Sequence, residues 1–304
     1  MTGVFRYLPP ETLEKLAALE FKAHGTVDGF MSGHHKSSRK GSSVEFAEHR
    51  QYSHGDDLRK IDWKLAARRQ SLYVREFIDE TNLRATVVLD ASGSMGYAGR
   101  RSENNISKLE YGKYLTAALA YLLIGQQDAV GFASFDDKPG VYIPASARKT
   151  QIRGVLEAMD DLKPGGEGSL AEELDFIAER IPRRSVVFVV SDFYDDVNRL
   201  AKALHHLKFR HHEVIALQTV ADEELAFPFE RMSVFHDLET PSQLEVDVKA
   251  VKKEYLERYS RHLAELKRIC GEMHFAHELI NTSVPCVDAL SDILVGYLRK
   301  SSVA

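Results

Sequence analysis

Residues Ala85-Thr86-Val87-Val88-Leu89-Asp90-Ala91-Ser92-Gly93-Ser94 decide how the rest of this chain is read. The first five form a short apolar run with no polar alternation, the pattern of a strand covered on both faces, as in a parallel sheet. Three more runs share its β-branched and aromatic character: Ala129 to Phe135, Val186 to Val190 and Val214 to Leu217. Segments of helical period separate them. Leu115, Ala118, Leu119 and Leu122 make one helix face, and Ile152, Val155, Leu156 and Met159 a second. Leu170, Leu174, Ile177 and Ile181 make a third, and Val197, Leu200, Ala201, Leu204 and Leu207 a fourth. Such alternation gives right-handed crossovers, and hence an α/β, doubly wound, mostly parallel sheet with helices on both faces. Val141 to Ile143 reads as a short antiparallel edge strand. Helices around Val248 to Ile269 and Val287 to Leu298 are expected to cover the sheet.

Upstream the pattern is different, which predicts two domains, 1–82 and 83–304. Residues 1–24 read as an amphipathic helix, with Pro9-Pro10 in its first turn and Leu13, Leu16, Ala17 and Phe21 on one face. Residues 25–43 form a polar, glycine-rich connector. Residues 44–80 form a small charged and aromatic subdomain. There Asp57 is expected to cap a helix containing Leu58, Ile61 and Leu65, and Leu72 to Phe77 to form a strand. Asp56, Asp57, Arg59, Asp62 and Arg68 are expected to pair internally around Trp63, the sole tryptophan, as an aromatic anchor.

With 304 residues, 44% of them hydrophobic and 28% charged, the composition excludes disordered and fibrous classes. The longest apolar stretch, Leu115 to Gly125, falls short of the ~20 residues that a membrane span needs, and no signal segment opens the sequence. A cytoplasmic address is therefore expected. Cys270 and Cys286 lack metal or disulfide spacing and read as inert thiols. A net charge of -5 gives no global attraction to nucleic acid. Residues 34–69 carry nine Lys/Arg, but five acids are interleaved with them, the mark of a solvated or internally paired face.

Ligands of parallel sheets bind beyond the carboxyl ends of the strands. Two of the four runs deliver an aspartate there: Asp90, followed by Ser92 and Ser94, and Asp192 after Ser191. Two carboxylates and two hydroxyls suit a hard cation, Mg²⁺ or Mn²⁺, whose open position would take an acidic side chain from a protein partner. The bland reading gives the aspartates to helix caps and the Ser-Gly-Ser to an ordinary turn. The enzyme alternative is a Mg²⁺-dependent phosphatase or phosphotransferase with Asp90 as nucleophile, but Ser92 stands where such chemistry wants a second acid. Gly165 to Gly168 lacks the Lys-Ser/Thr of a phosphate loop.

The DxSxS loop and the distal aspartate resemble the von Willebrand factor type A family and its metal-ion-dependent adhesion site, mapped onto Asp90, Ser92, Ser94 and Asp192. Gly168 stands where that family's loop carries a threonine, so the resemblance implies a metal that is weakly held or absent unless Ser169 or Glu167 supplies the oxygen after a small backbone shift. The segments Gly55-Asp56-Asp57-Leu58-Arg59, Ile61-Asp62-Trp63, Ala67-Arg68 and Lys108-Leu109-Glu110-Tyr111 resemble the bacterial domain of unknown function 58 proteins. That resemblance implies a non-enzymatic adaptor acting beside a MoxR-type AAA+ ATPase in protein or complex maturation.

Overall fold

In the computed structural model the described residues are 4–16, 44–52, 61–69, 72–79, 83–99, 106–136, 140–166, 168–229, 232–240 and 242–301. The chain divides into two compact units. One is Met31–Asn82; the other joins Met1–Phe30 to Leu83–Ala304. Helices α1 (Val4–Tyr7) and α2 (described over residues 10–16) open the larger unit, broken from one another at Leu8 and Pro9. Tyr7, Leu8 and Leu16 are buried there, and the Tyr7 hydroxyl donates to Asp160 at 2.9 Å.

The smaller unit pairs strands β1 (Val44–Gln51) and β2 (Tyr73–Asp79) antiparallel, with a register shift between Phe46 and Glu48. Helix α3 (Trp63–Arg69) lies between them in sequence. Two expectations change here. Asp62, not Asp57, caps the helix: its Oδ1 accepts from the Leu65 amide at 3.1 Å, and Ile61 is buried just ahead of the helix. Trp63 is not a buried anchor within this unit. It is the first helical residue and stands 64% exposed, whereas Ile61 is buried. Asp56, Asp57, Leu58 and Arg59 and the connector 25–43 lie outside the described residues.

The larger unit is built on strands β3 (Arg84–Asp90), β4 (Ala129–Phe135), β5 (Tyr142–Ser146), β6 (Val186–Ser191) and β7 (Glu213–Val220). Helix α4 (Lys108–Gly125) precedes β4; α5 (Gln151–Asp160) and α6 (Leu170–Arg180) follow β5; α7 (Val197–Phe209) follows β6. Beyond β7 come α8 (Asp222–Ala226), the hairpin of β8 (Met232–His236) and β9 (Gln243–Asp247), then α9 (Val248–Glu272), β10 (Ala276–Asn281) and α10 (Cys286–Ser301). The sheet order is β10-β7-β6-β3-β4-β5, parallel throughout except for the antiparallel edge β5. The doubly wound α/β fold, its four central strands and the edge strand are thus as the pattern implied; the sixth strand, β10, and the hairpin are additions.

Strand alternation divides the core. Val88, Val187 and Val189 face α6, α7 and α9 on one side, in a cluster with Leu174, Leu204 and Leu266. Helix α4 covers the other side and is buried almost all round, in keeping with the apolar run from Leu115 to Ile124, which is interrupted only by Thr116. Its contact is close at Gly112, where a Cβ would stand 2.7 Å from Leu89 Cδ1. Among the described residues, no helix is long and apolar enough to cross a membrane.

Candidate metal centre and strand-end rim

The connection from β3 runs to β4 on one side, while β6 lies on the other, so the strand order reverses at β3/β6. This is where a doubly wound sheet opens a crevice. Asp90 ends β3 and Asp192 follows β6, so residues 102 positions apart in sequence meet at one rim. The link is direct. Ser191 Oγ donates to Asp90 Oδ2 at 2.5 Å and accepts from the Phe193 amide at 2.8 Å. Phe193 has φ 59, a left-handed conformation that is costly for a bulky residue, and its tight turn aims Asp192.

On the β3 side, Asp90 Oδ1 accepts from the Ser92 amide at 2.8 Å, and the Ser92 and Ser94 hydroxyls lie 3.2 Å apart. The glycine loop also arrives. Gly165 N donates to Ala91 O at 3.0 Å, and Gly93 N donates to Gly166 O at 3.1 Å. Burial, and then the charge of Asp192, push the Asp90 carboxyl up to about 6.

Four of the five expected donors therefore share a rim, but their chemistry is already in use. Asp192 Oδ2 is bonded to Lys108 Nζ at 2.7 Å, and its Oδ1 accepts from the Tyr194 amide at 3.2 Å. Ser169 caps α6 by accepting from the Glu172 amide, and donates to Asp195 at 3.2 Å. At Gly168 there is no room for a side chain: a Cβ would lie 2.7 Å from the Asp136 carbonyl oxygen. Above Ser94, Glu239 Oε1 accepts from its amide at 3.4 Å, and the Leu238 carbonyl sits over Gly93. Asp90, Ser92 and Ser94 remain as oxygen donors, a set that does not fit the five-donor centre.

Lys108, named in the sequence reading only as part of a family motif, is the buried cation beside this rim. Its side chain is 1% exposed and pairs with both Asp192 and Glu224, the latter at 2.8 Å. The rings of Tyr97 and Tyr194 flank the ammonium at 5.9 and 5.4 Å from their centroids. Burial alone would lower its pKa; the two carboxylates outweigh this and raise it, which favours the charged ammonium. A signal was available. Lys108 is the first residue of α4, where the helix dipole repels a positive charge, so a lysine buried there needs carboxylates of its own.

Beside this rim a cavity of about 650 Å³ opens between α8, the β8/β9 hairpin and α9. Its apolar wall includes Phe227, Phe229, Phe235, Leu244, Val246 and Tyr255. Phe227 and Tyr255 lie 4.5 Å apart by ring centroid, and Phe229 meets Phe235 edge to face at 5.4 Å.

The family model described as "Protein of unknown function DUF58" matches residues 48–265 of this sequence. The chain belongs to that family. Uncharacterized proteins of Mycobacterium tuberculosis and Mycobacterium bovis are 26% identical over 270 residues, covering 86% of this chain and 83% of theirs. Among solved structures, a conserved hypothetical protein BatB from Bacteroides thetaiotaomicron is 14% identical with a TM-score of 0.45, covering 71% of this DUF58 chain and 99% of that one. The SpRpn10 VWA domain is 12% identical with a TM-score of 0.40, over 70% and 94%.

Proposed function

We propose that this DUF58 chain is a non-enzymatic protein-interaction module that holds an extended segment of a partner in the aromatic groove beside the strand-end rim. The groove itself carries the reading. It combines a concave aromatic wall with two exposed leucines at its mouth, Leu244, 65% exposed, and Leu238, 49% exposed. Five acids line it (Glu223, Glu224, Asp237, Glu239 and Glu254) against two bases, Lys108 and Arg258. Both bases are committed, Lys108 to Glu224 and Asp192 and Arg258 to Glu254. Charge complementarity therefore favours large apolar side chains beside Lys or Arg, rather than the acidic side chain that a metal-bearing rim would recruit. The MoxR-type AAA+ ATPase implied by the family resemblance is the partner to try first.

The phosphatase reading gains nothing from the geometry. Asp90 is 4% exposed, and its two oxygens accept from the Ser92 amide and the Ser191 hydroxyl, which leaves a bulky phosphoryl group little access to it.

Selection of a phage-displayed random peptide library on the full chain tests the proposal. Enriched peptides should place Leu, Phe or Ile next to Lys or Arg, and Leu244→Asp should weaken their binding at least about tenfold, near 1.4 kcal/mol. Enrichment of acidic peptides, or binding indifferent to both Leu244→Asp and Phe235→Ser, refutes it. The same variants, measured by interferometry against a purified MoxR-type ATPase, test the named partner.

A further inference from the structure

We propose that the Lys108 ammonium is the resident cation of the strand-end rim and stands in place of a divalent ion, so that this site works without metal. The inference rests on the side chains around the rim and is independent of what fills the groove. A cation is needed there, because Asp90, Asp192 and Glu224 converge with little access to water, and like charges so buried are costly unless compensated. Lys108 supplies it. Its Nζ lies 2.7 Å from Asp192 and 2.8 Å from Glu224, and its remaining flank is closed by the faces of Tyr97 and Tyr194. Asp192 is the distal carboxylate that a bound metal would have used, and it spends Oδ2 on the lysine.

Three further departures agree with a lysine in the metal's role. The glycine loop is tied to Ala91 and Gly93 by two backbone hydrogen bonds, yet it brings no hydroxyl, and the Asp136 carbonyl leaves no space for one at Gly168. Ser169 is spent on capping α6. Glu239 Oε1 accepts from the Ser94 amide at 3.4 Å, which places another carboxylate against the Ser92-Gly93-Ser94 loop. A divalent ion therefore competes with a tethered ammonium that pays no entropy of capture. Removing the ammonium should free Asp192 to join Asp90, Ser92 and Ser94 as oxygen donors.

The test is thermal unfolding and calorimetry of the full chain with MgCl₂, MnCl₂ or EDTA. The wild-type midpoint should not respond to any of the three. Lys108→Ala should melt roughly 10 °C lower, as expected for a buried pair that has lost one partner. Saturating Mg²⁺ or Mn²⁺ should then restore about 5 °C, the order expected at a hundredfold excess over Kd, and adding Asp90→Asn should abolish that rescue. If Lys108→Ala does not fold, Lys108→Met with Glu224→Gln keeps the volume, removes one unpaired carboxylate and should show the same gain of metal response. Wild-type protein that binds Mg²⁺ and loses the binding with Asp90→Ala overturns the inference, as does a folded Lys108 variant that ignores both ions. Metal response is read without peptide, and Leu244→Asp and Phe235→Ser leave Lys108, Asp192 and Glu224 in place, so the two proposals fail separately.

Discussion

Gly168→Ala isolates the question of space at the rim. The added Cβ would sit 2.7 Å from Asp136 O, 3.2 Å from Asp136 C and 3.4 Å from Phe135 Cδ2. The nearest two atoms are backbone and follow directly on β4, the strand paired to β3, so they cannot swing aside as a side-chain tip would. Overpacking of this kind costs about 1–3 kcal/mol. Gly168 has no left-handed φ, so alanine also stiffens the unfolded chain and returns about 0.4–1 kcal/mol. The net loss is about 1–2 kcal/mol, or roughly 2–6 °C in the unfolding midpoint of a domain this size. Gly168→Thr carries the same Cβ and two further atoms, so it should melt lower still. Circular dichroism melts of the three chains settle the order. A Gly168→Ala midpoint at or above wild type would mean that the Asp136 carbonyl yields freely, and that sterics are not why this loop lacks a hydroxyl.

The same reasoning applies inside α4. Gly112→Ala should gain helix propensity of about 1 kcal/mol but lose about 1–3 kcal/mol to the collision with Leu89 Cδ1 at 2.7 Å and Val190 Cγ1 at 3.2 Å, so denaturant titration should find it less stable than wild type. Glu173 gives a pH signature. Burial lifts its carboxyl from 4.5 to about 7, so the native state holds the proton more tightly, and stability present below pH 4.5 is lost as pH climbs towards 7. Glu173→Gln should therefore raise the midpoint at pH 8, by about 1 kcal/mol after allowing for partial solvent access, and change little at pH 4. Equal gains at both pH values would assign the effect to packing rather than to charge.

The central strands were legible because Ala85 to Leu89 and Val186 to Val190 are buried on both faces, and burial leaves an uninterrupted apolar run in the sequence. The aspartates were legible for a related reason: a polar residue just past such a run can only be at a strand end. β10 was hidden, since Ala276 to Asn281 is half-exposed at the sheet edge and carries His277, Glu278 and Asn281. The β8/β9 hairpin was equally opaque, because its apolar residues fall on both faces and follow no single period. Phe235 faces Leu244 across one side, while Val234, 53% exposed, shares the other with Glu245. Lys108 entered the sequence reading only as part of a family motif; the start of α4 is an unfavourable place for a cation, but its partners Asp192 and Glu224, 84 and 116 residues away, close around it only in the fold.

Because β8 and β9 form a sheet of their own, they share no ladder hydrogen bond with the six central strands. The hairpin meets the β3 loop through the 3.4 Å contact of Glu239 with the Ser94 amide and the close approach of Leu238 to Gly93, and it packs Phe235 on Phe227 and Phe229. Substitutions in the hairpin can therefore reshape one wall of the groove while leaving intact the strand pairing that brings Asp90 and Asp192 together.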